Sequence, residues 1–434
     1  MRFLGIGDYH GLGDMYLRLA SAGHEVRVHV HEPEAHGILQ GLVTRIDDWR
    51  AELPWIRAAG RDGIVVFETA HHGDIADALR RDGYQVVGGS AWGDRLERDR
   101  AFGQAIMRDA GMPIAAVHDF RDFEQALAFL AEHPGRYVYK LSGGEGRATQ
   151  NYVGELDDGF DVAAVLRLER DRWNAPAAPH FVLMEHVAGI EVGVGGYFDG
   201  ERFLTPAVID WEHKRLFSGD LGELTGEMGT VVSYRGAEAI FEQTLGRLAE
   251  PLREAGHVGY LNINTIVNER GIWPLEFTCR FGYPGFAICD ALHLDGWDEI
   301  LRRMTRGDHG SFATRDGFAV GVVLTVPPYP YEFGYEQLSK DAPIFFRPGI
   351  TEAQRAQLHY GEVAQAGEQL VTRGFWGYVM VATGTGMDIA AAKTSAYATA
   401  RQVVVPKLRY RVDIGDRLLG GELDQLRRWG YYPH

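Results

Sequence analysis

The chain of 434 residues is 45% hydrophobic and 24% charged, the balance of a folded globular protein and too long for one ordinary core. A formal net charge of -16 excludes a general nucleic-acid surface, though not a local basic pocket, and two cysteines exclude a disulfide framework. With no signal-like apolar start and no run near the roughly 18 apolar residues of a membrane span, a cytoplasmic monomer or homodimer without membrane or nucleic-acid partners is expected.

In chain order, apolar runs at 3–7, 26–30, 64–67 and 84–87 read as strands, with helical spacing at 15–20 and 74–81. Strands separated by helices imply a parallel, doubly wound, Rossmann-like sheet. The first turn, Asp8-Tyr9-His10-Gly11-Leu12-Gly13, follows Gly7 and lacks the G-x-G-x-x-G spacing of a dinucleotide site. It reads instead as a turn that lets an anionic substrate approach a helix N-terminus.

An amphipathic helix is predicted over 94–113, then a small strand–helix–strand unit ending in Tyr137-Val138-Tyr139-Lys140 and the loop Ser142-Gly143-Gly144-Glu145-Gly146. A strand-terminal ammonium beside a glycine-rich loop suits a polyphosphate, since backbone N–H groups and the cation meet the same negative oxygens. An ordinary hairpin loop has the same composition. Further strands are predicted at 181–186, 191–194, 203–209 and 259–267, with a helix over 237–255. The charged run Asp210-Trp211-Glu212-His213-Lys214-Arg215 and a second glycine-bearing loop at 218–229 lie between them. Strands near 320–324, 367–371 and 377–381 and a helix over 387–404 suggest a third unit. The expected division is an N-terminal domain 1–93, a central α+β domain 94–312 with a small subdomain at about 114–186, and a small mixed α/β domain 313–434.

The densest chemistry lies in Leu275-Glu276-Phe277-Thr278-Cys279-Arg280-Phe281-Gly282-Tyr283. Strand alternation puts Glu276, Thr278 and Arg280 on one face and Phe277, Cys279 and Phe281 on the other. Such a strand can offer a metal-binding carboxylate and a phosphate-facing guanidinium; a half-solvated edge strand is the alternative. A hairpin at 268–271 could bring Asn264 to the Glu276 face.

Taken in order, these motifs resemble the ATP-grasp ligases, and among them phosphoribosylamine–glycine ligase (glycinamide ribonucleotide synthetase). The resemblance rests on Leu96-Glu97-Arg98-Asp99-Arg100-Ala101-Phe102, Met184-Glu185-His186-Val187-Ala188-Gly189-Ile190-Glu191 and His213-Lys214-Arg215. It continues in Thr225-Gly226-Glu227-Met228-Gly229, in the 275–282 stretch and in Arg411-Val412-Asp413-Ile414-Gly415. It implies an ATP-grasp central domain that uses ATP with Mg2+ or Mn2+. The implied reaction joins a small carboxylate to a small amine through an acyl phosphate, releasing ADP and phosphate.

Residue by residue, the resemblance assigns Arg100, Lys140, Gly143, Gly144 and Gly146 to the nucleotide phosphates. It gives the backbone at Glu185 and Val187 to adenine, Glu191 to ribose, and Glu276 to magnesium, with Thr278 or Asn264 as companion ligand. Arg280 and Lys214 would face the transferred group, and His213 and Arg215 would lie near substrate and phosphates.

The chain departs from the family at four places. Thr278 replaces an asparagine, and Tyr283-Pro284-Gly285 replaces Asp-Pro-Glu. The family's Asn-Thr-Gly-Gly-Met-Gly has become Leu224-Thr225-Gly226-Glu227-Met228-Gly229, and the first turn replaces Gly-Arg-Glu-His-Ala. These changes fall on the substrate side, where Glu227 and Tyr283 are candidate contacts; Glu227 is alternatively a solvated loop acid. A diverged ligase acting on a different amine therefore stands beside the purine-pathway reaction, as does a non-catalytic nucleotide-binding homologue. Cys279 is expected in the core, and Asp413 as a brace of the C-terminal unit.

Overall fold

Five parallel strands open the chain, in the spatial order Thr44–Arg45, Glu25–Val30, Arg2–Gly7, Gly63–Phe67, Gln85–Val87. In this computed structural model all residues are described except 10, 142–150, 175–176 and 308–309. Gly143, Gly144 and Gly146 lie outside the described residues. Both faces of the first sheet are covered, one by Met15 and Leu19, the other by Ile56 and Leu79, which explains its continuous apolar runs. Strand order reverses between Arg2–Gly7 and Gly63–Phe67, so their carboxyl ends open the crevice where such sheets take ligands.

A smaller antiparallel sheet follows, ordered Val117–Phe120, Phe181–Glu185, Tyr137–Leu141, Tyr152–Val153. One face packs through Phe181 and Tyr139 on the helices Phe123–Glu132 and Phe160–Arg172. Alternation turns Val138 and Met184 to the other face, where they join Ala115 and are flanked by Val187 and Leu275.

The third sheet has eight antiparallel strands: Gly271–Thr278, Gly259–Asn268, Ile190–Phe198, Val208–Glu212, Gly229–Ser233, Phe318–Thr325, Tyr378–Gly386 and Leu358–Tyr360. It runs across residues 312 and 313, so strands from both sides of that expected boundary share one sheet. The outermost strand, Gly271–Thr278, tolerates Pro274 because its outer edge has no ladder to complete. Opposite Pro274 the register slips: Asn264 pairs with Glu276 and Thr265 with Pro274, leaving Leu275 as the extra residue of a bulge.

Four predicted elements change. The helix over 94–113 is two, Ala91–Arg98 and Arg100–Asp109, because Asp99 is extended and its carboxylate accepts the Phe102 N–H at 3.1 Å. The return strand is Val208–Glu212, not 203–209; Pro206 has no N–H to give a ladder. The helix over 237–255 breaks at Thr244 (φ -126, ψ -98) into Glu238–Gln243, a 3-10 turn and Ala249–Glu254. The last long helix is Ile389–Ala400, started by the Asp388 carboxylate on the Ala391 N–H.

Candidate active site

One transverse row of the large sheet organises the polar side chains. Glu276 pairs with Asn264, Asn264 with Gly193, and Gly193 with Asp210, so the three side chains share a face. Glycine is required between them: a Cβ on Gly193 would lie 2.1 Å from Asp210 Oδ1. Two residues along from Asp210, Glu212 joins the same face, and its Oε2 accepts from Asn264 Nδ2 at 3.2 Å.

Two ammonium groups enter this row. Lys140, at the end of its strand in the smaller sheet, lies 3.4 Å from Glu276 Oε2. Lys214 lies 2.6 Å from Glu191 Oε1 and 3.1 Å from Glu212 Oε2. The Lys140 charge, opposed by desolvation and reinforced by Lys214 and Arg100, holds the Glu276 carboxyl down at about 2. Glu276 thus stays ionised, with its side chain 44% exposed. Burial lowers the Lys140 pKa, with Glu276 opposing it. Burial also works against the Lys214 ammonium, but Glu191, Glu212 and Glu276 outweigh it and raise its pKa well above the usual value.

Beyond Lys214 the acids outnumber their partners. Asp210 and Glu227 are buried, and desolvation followed by the charge of Glu212 raises both carboxyls. Asp210 Oδ1, Glu227 Oε1 and Asn264 Oδ1 are buried oxygens without a hydrogen-bond partner among the described residues. Glu227 is thus not a solvated loop acid.

Arg280 is aimed by Glu97, whose two oxygens take the Arg280 Nε–H at 3.0 Å and the Cys279 backbone N–H at 2.8 Å. Cys279 is in the core, as alternation requires, with Phe277 and Phe281. Arg280 and Tyr283 line a cleft of about 560 Å³ that reaches the crevice of the first sheet at Asp8 and Glu68 and the C-terminal residues Glu362, Trp376 and Tyr378.

The other expected residues fall in several places. Arg100, the first residue of its helix, acts electrostatically on Lys140 and Glu276. Glu185 is exposed at the end of its strand, and Val187 borders the apolar patch of Ala115, Val138 and Met184. Thr278 stands opposite Asn262, two pairs beyond Glu276. His213 is buried and accepts the Gly415 N–H at 3.2 Å; burial, helped by Arg417 and Arg411, depresses its pKa to about 3, so it is neutral. Arg215 turns to the Gly222 carbonyl at 2.7 Å. Asp413 braces the C-terminal region: it pairs with buried Arg411 and accepts the Gly219 N–H at 2.8 Å.

Sequence reasoning passed over Glu97, Asp210 and Glu212, all inside quoted motifs; Glu212 shares the alternation of Lys214 and could have been found that way. It also missed Tyr329, Trp376, Tyr378 and Glu362, for which no local pattern gives a signal.

A Rossmann-like first sheet, a small antiparallel sheet delivering Lys140, and a large antiparallel sheet whose edge hairpin presents Glu276 together define an ATP-grasp protein. Residues 98–286 match the family model of the phosphoribosylglycinamide synthetase ATP-grasp (A) domain. The chain is 29% identical over 371 residues to the phosphoribosylamine–glycine ligase of Rhizobium meliloti, covering 80% of this chain and 81% of that protein. It is 27% identical over 368 residues to the phosphoribosylamine–glycine ligase of Pseudomonas aeruginosa, covering 80% and 81%. The crystal structure of phosphoribosylamine–glycine ligase from Thermotoga maritima shares the fold with a TM-score of 0.71 at 22% identity, covering 95% of this chain and 100% of that one. The biotin carboxylase domain of 2-oxoglutarate carboxylase from Hydrogenobacter thermophilus does so at 0.63 and 11%, covering 98% and 95%. The chain is thus similar to phosphoribosylamine–glycine ligase over most of its length, with an ATP-grasp domain in residues 98–286.

Proposed function

We propose that the protein joins a carboxylate to an amine at the expense of ATP, through an acyl phosphate, releasing ADP and phosphate. The observation that carries this is the meeting of Lys140 with Glu276, flanked by Lys214 and Arg100, beside the apolar patch of Val138 and Met184. A carboxylate oxygen is a poor leaving group until it is phosphorylated, and phosphoryl transfer needs positioning and charge neutralisation more than covalent help.

In this reading adenine lies on the apolar patch against the backbone at Glu185 and Val187, with Glu191 toward the ribose. Lys140 and Arg100 offset phosphate charge, and Gly143, Gly144 and Gly146 belong to the same proposal. Arg280, held by Glu97, and Lys214 face the group being transferred; Arg215, Glu227 and Tyr283 lie on the substrate side. Neutral His213 acts through its hydrogen bond to Gly415, not as a cation.

Glu276 and Asn264 would hold magnesium or manganese. The fit rests on an ionised carboxylate opposite a buried amide oxygen that has no partner among the described residues. Among the described residues no three His, Cys, Asp or Glu side chains are placed to share a metal. That suits an ion which takes few protein ligands and completes its shell with phosphate and water oxygens. Bound there, it would neutralise phosphate charge; Thr278 is the further candidate along the same face.

The test is ADP release in the presence of Mg-ATP and paired acids and amines, with glycine and phosphoribosylamine among them. Amine- and acid-dependent ADP release, abolished in Lys140→Ala and Glu276→Gln, supports the ligase. ATP binding without turnover across a broad panel would make the chain a non-catalytic nucleotide-binding homologue.

A further inference from the structure

The cleft beyond Arg280 has a composition of its own. Among its described lining residues are five carboxyl side chains, Asp8, Glu68, Glu97, Glu332 and Glu362, against two guanidinium groups, Arg98 and Arg280. Arg280 is already paired with Glu97. Every one of these acids accepts a hydrogen bond from the protein: Asp8 from Thr69, Glu68 from the Leu12 N–H, Glu332 from Trp376 Nε1 at 2.6 Å, and Glu362 from the Gly377 N–H at 2.6 Å. The positions of these acids are therefore fixed by the cleft wall and do not depend on mobile side chains.

The same wall carries a continuous series of rings. Tyr9 lies 5.2 Å from Trp376, Trp376 6.3 Å from Tyr378, and Tyr378 4.7 Å from Tyr329 and 5.1 Å from Tyr283. The Tyr283 hydroxyl has no hydrogen-bond partner among the described residues, while Tyr329 and Tyr378 bond each other at 2.9 Å. Buried Glu227 lies close to Tyr283, Tyr329 and Tyr378 behind this wall. Ring faces attract cations through their quadrupole, and acids at the ring edges strengthen the attraction. A phosphate placed here would meet mostly carboxylates, with Arg98 and an already engaged Arg280 as its guanidinium partners.

We infer that the substrate cleft recognises an unphosphorylated organic cation, held against the Tyr9–Trp376–Tyr378 wall while its far end reaches toward Arg280. This inference rests on the ligase reading for which end reacts. It places the chain's departures from its relatives, Tyr283 and Glu227, in a change of substrate class from a sugar phosphate to a cationic amine.

Calorimetric titration of the full-length protein without ATP, using phenethylammonium and ribose 5-phosphate as probes, tests it. Phenethylammonium is expected to bind and ribose 5-phosphate not to. Tyr9→Ala, at a partly exposed position where folding is not at stake, and Trp376→Leu should each weaken cation binding by about tenfold with ADP affinity unchanged. Tighter binding of ribose 5-phosphate, absence of cation binding, or cation binding indifferent to both substitutions overturns the inference. Absence of ADP release from the wild-type protein bears on the ligase reading alone, because these titrations involve no turnover.

Discussion

Asn264 stands directly opposite Glu276 in the edge hairpin, and its Oδ1 is a buried acceptor with no hydrogen-bond partner among the described residues. Its Nδ2 is already committed to Glu212, which fixes the orientation of the amide. A bulge at Leu275 lets an edge strand interrupted by Pro274 reach this pairing. Asn264→Leu keeps the volume and removes the oxygen. The magnesium concentration for half-maximal ADP release is expected to rise by about 10- to 100-fold. A magnesium titration giving the wild-type midpoint would exclude Asn264 from the metal's ligands.

Lys214 is the counter-charge for Glu191 and Glu212, with its side chain 23% exposed. Lys214→Met leaves both acids facing Asp210 and Glu227 without the ammonium that pairs them. The expected loss is about 3 kcal/mol, at the low end for a broken buried pair because water still reaches the site. Urea denaturation measures it. Adding Glu227→Gln should restore part of the loss, and additive effects would show that the two residues do not interact.

Glu362 provides a pH test. Burial raises its carboxyl to about 7, partly offset by the backbone N–H groups of Gly377 and Trp376. The unfolded chain's glutamates titrate near about 4.3, so the folded protein binds this proton more tightly. The stability it contributes is complete below that value and is lost as pH rises through about 7. Glu362→Gln cannot ionise, so its melting temperature relative to wild type is expected to improve between pH 5 and pH 8. A difference constant across that range would show that Glu362 does not titrate there.

Asp99 separates two helices and caps the second, whose first residue is Arg100. Asp99→Ala should cost about 1 kcal/mol of stability by thermal or urea unfolding. Because the cap sets where Arg100 points, the same variant should bind ATP more weakly. A wild-type ATP affinity at lowered stability would separate the cap from the nucleotide site.

The alternating pattern at 272–281, the hairpin turn at 268–271 and the strand-terminal Lys140 were all legible from short-range spacing. Periodicity of two places Glu276 opposite the core face of Phe277 and Cys279, and the tight turn sets the register as far as Thr265 and Pro274, beyond which the bulge at Leu275 brings Asn264 opposite Glu276. These are local consequences of backbone geometry, so they survive without knowledge of the rest of the chain. Where local chemistry offers two outcomes, as at Asp99 or Thr244, the same reasoning ran a helix through a break.

Long-range packing settled what spacing leaves open. Lys140 and Glu276 are 136 residues apart and meet only because two sheets face each other. Glu227 was open between substrate contact and solvent until the sheet buried it among Asp210 and Glu212, and His213 lost its expected charge through burial beside Arg411 and Arg417. The ring wall draws Tyr9, Tyr283, Tyr329, Trp376 and Tyr378 from four separate stretches of sequence. Backbone periodicity acts over a few residues, whereas desolvation and charge are properties of a place in the fold. The sequence therefore marked the acid–cation strand, and the packing around it determined which of its neighbours keep their charge and what the cleft beside it can hold.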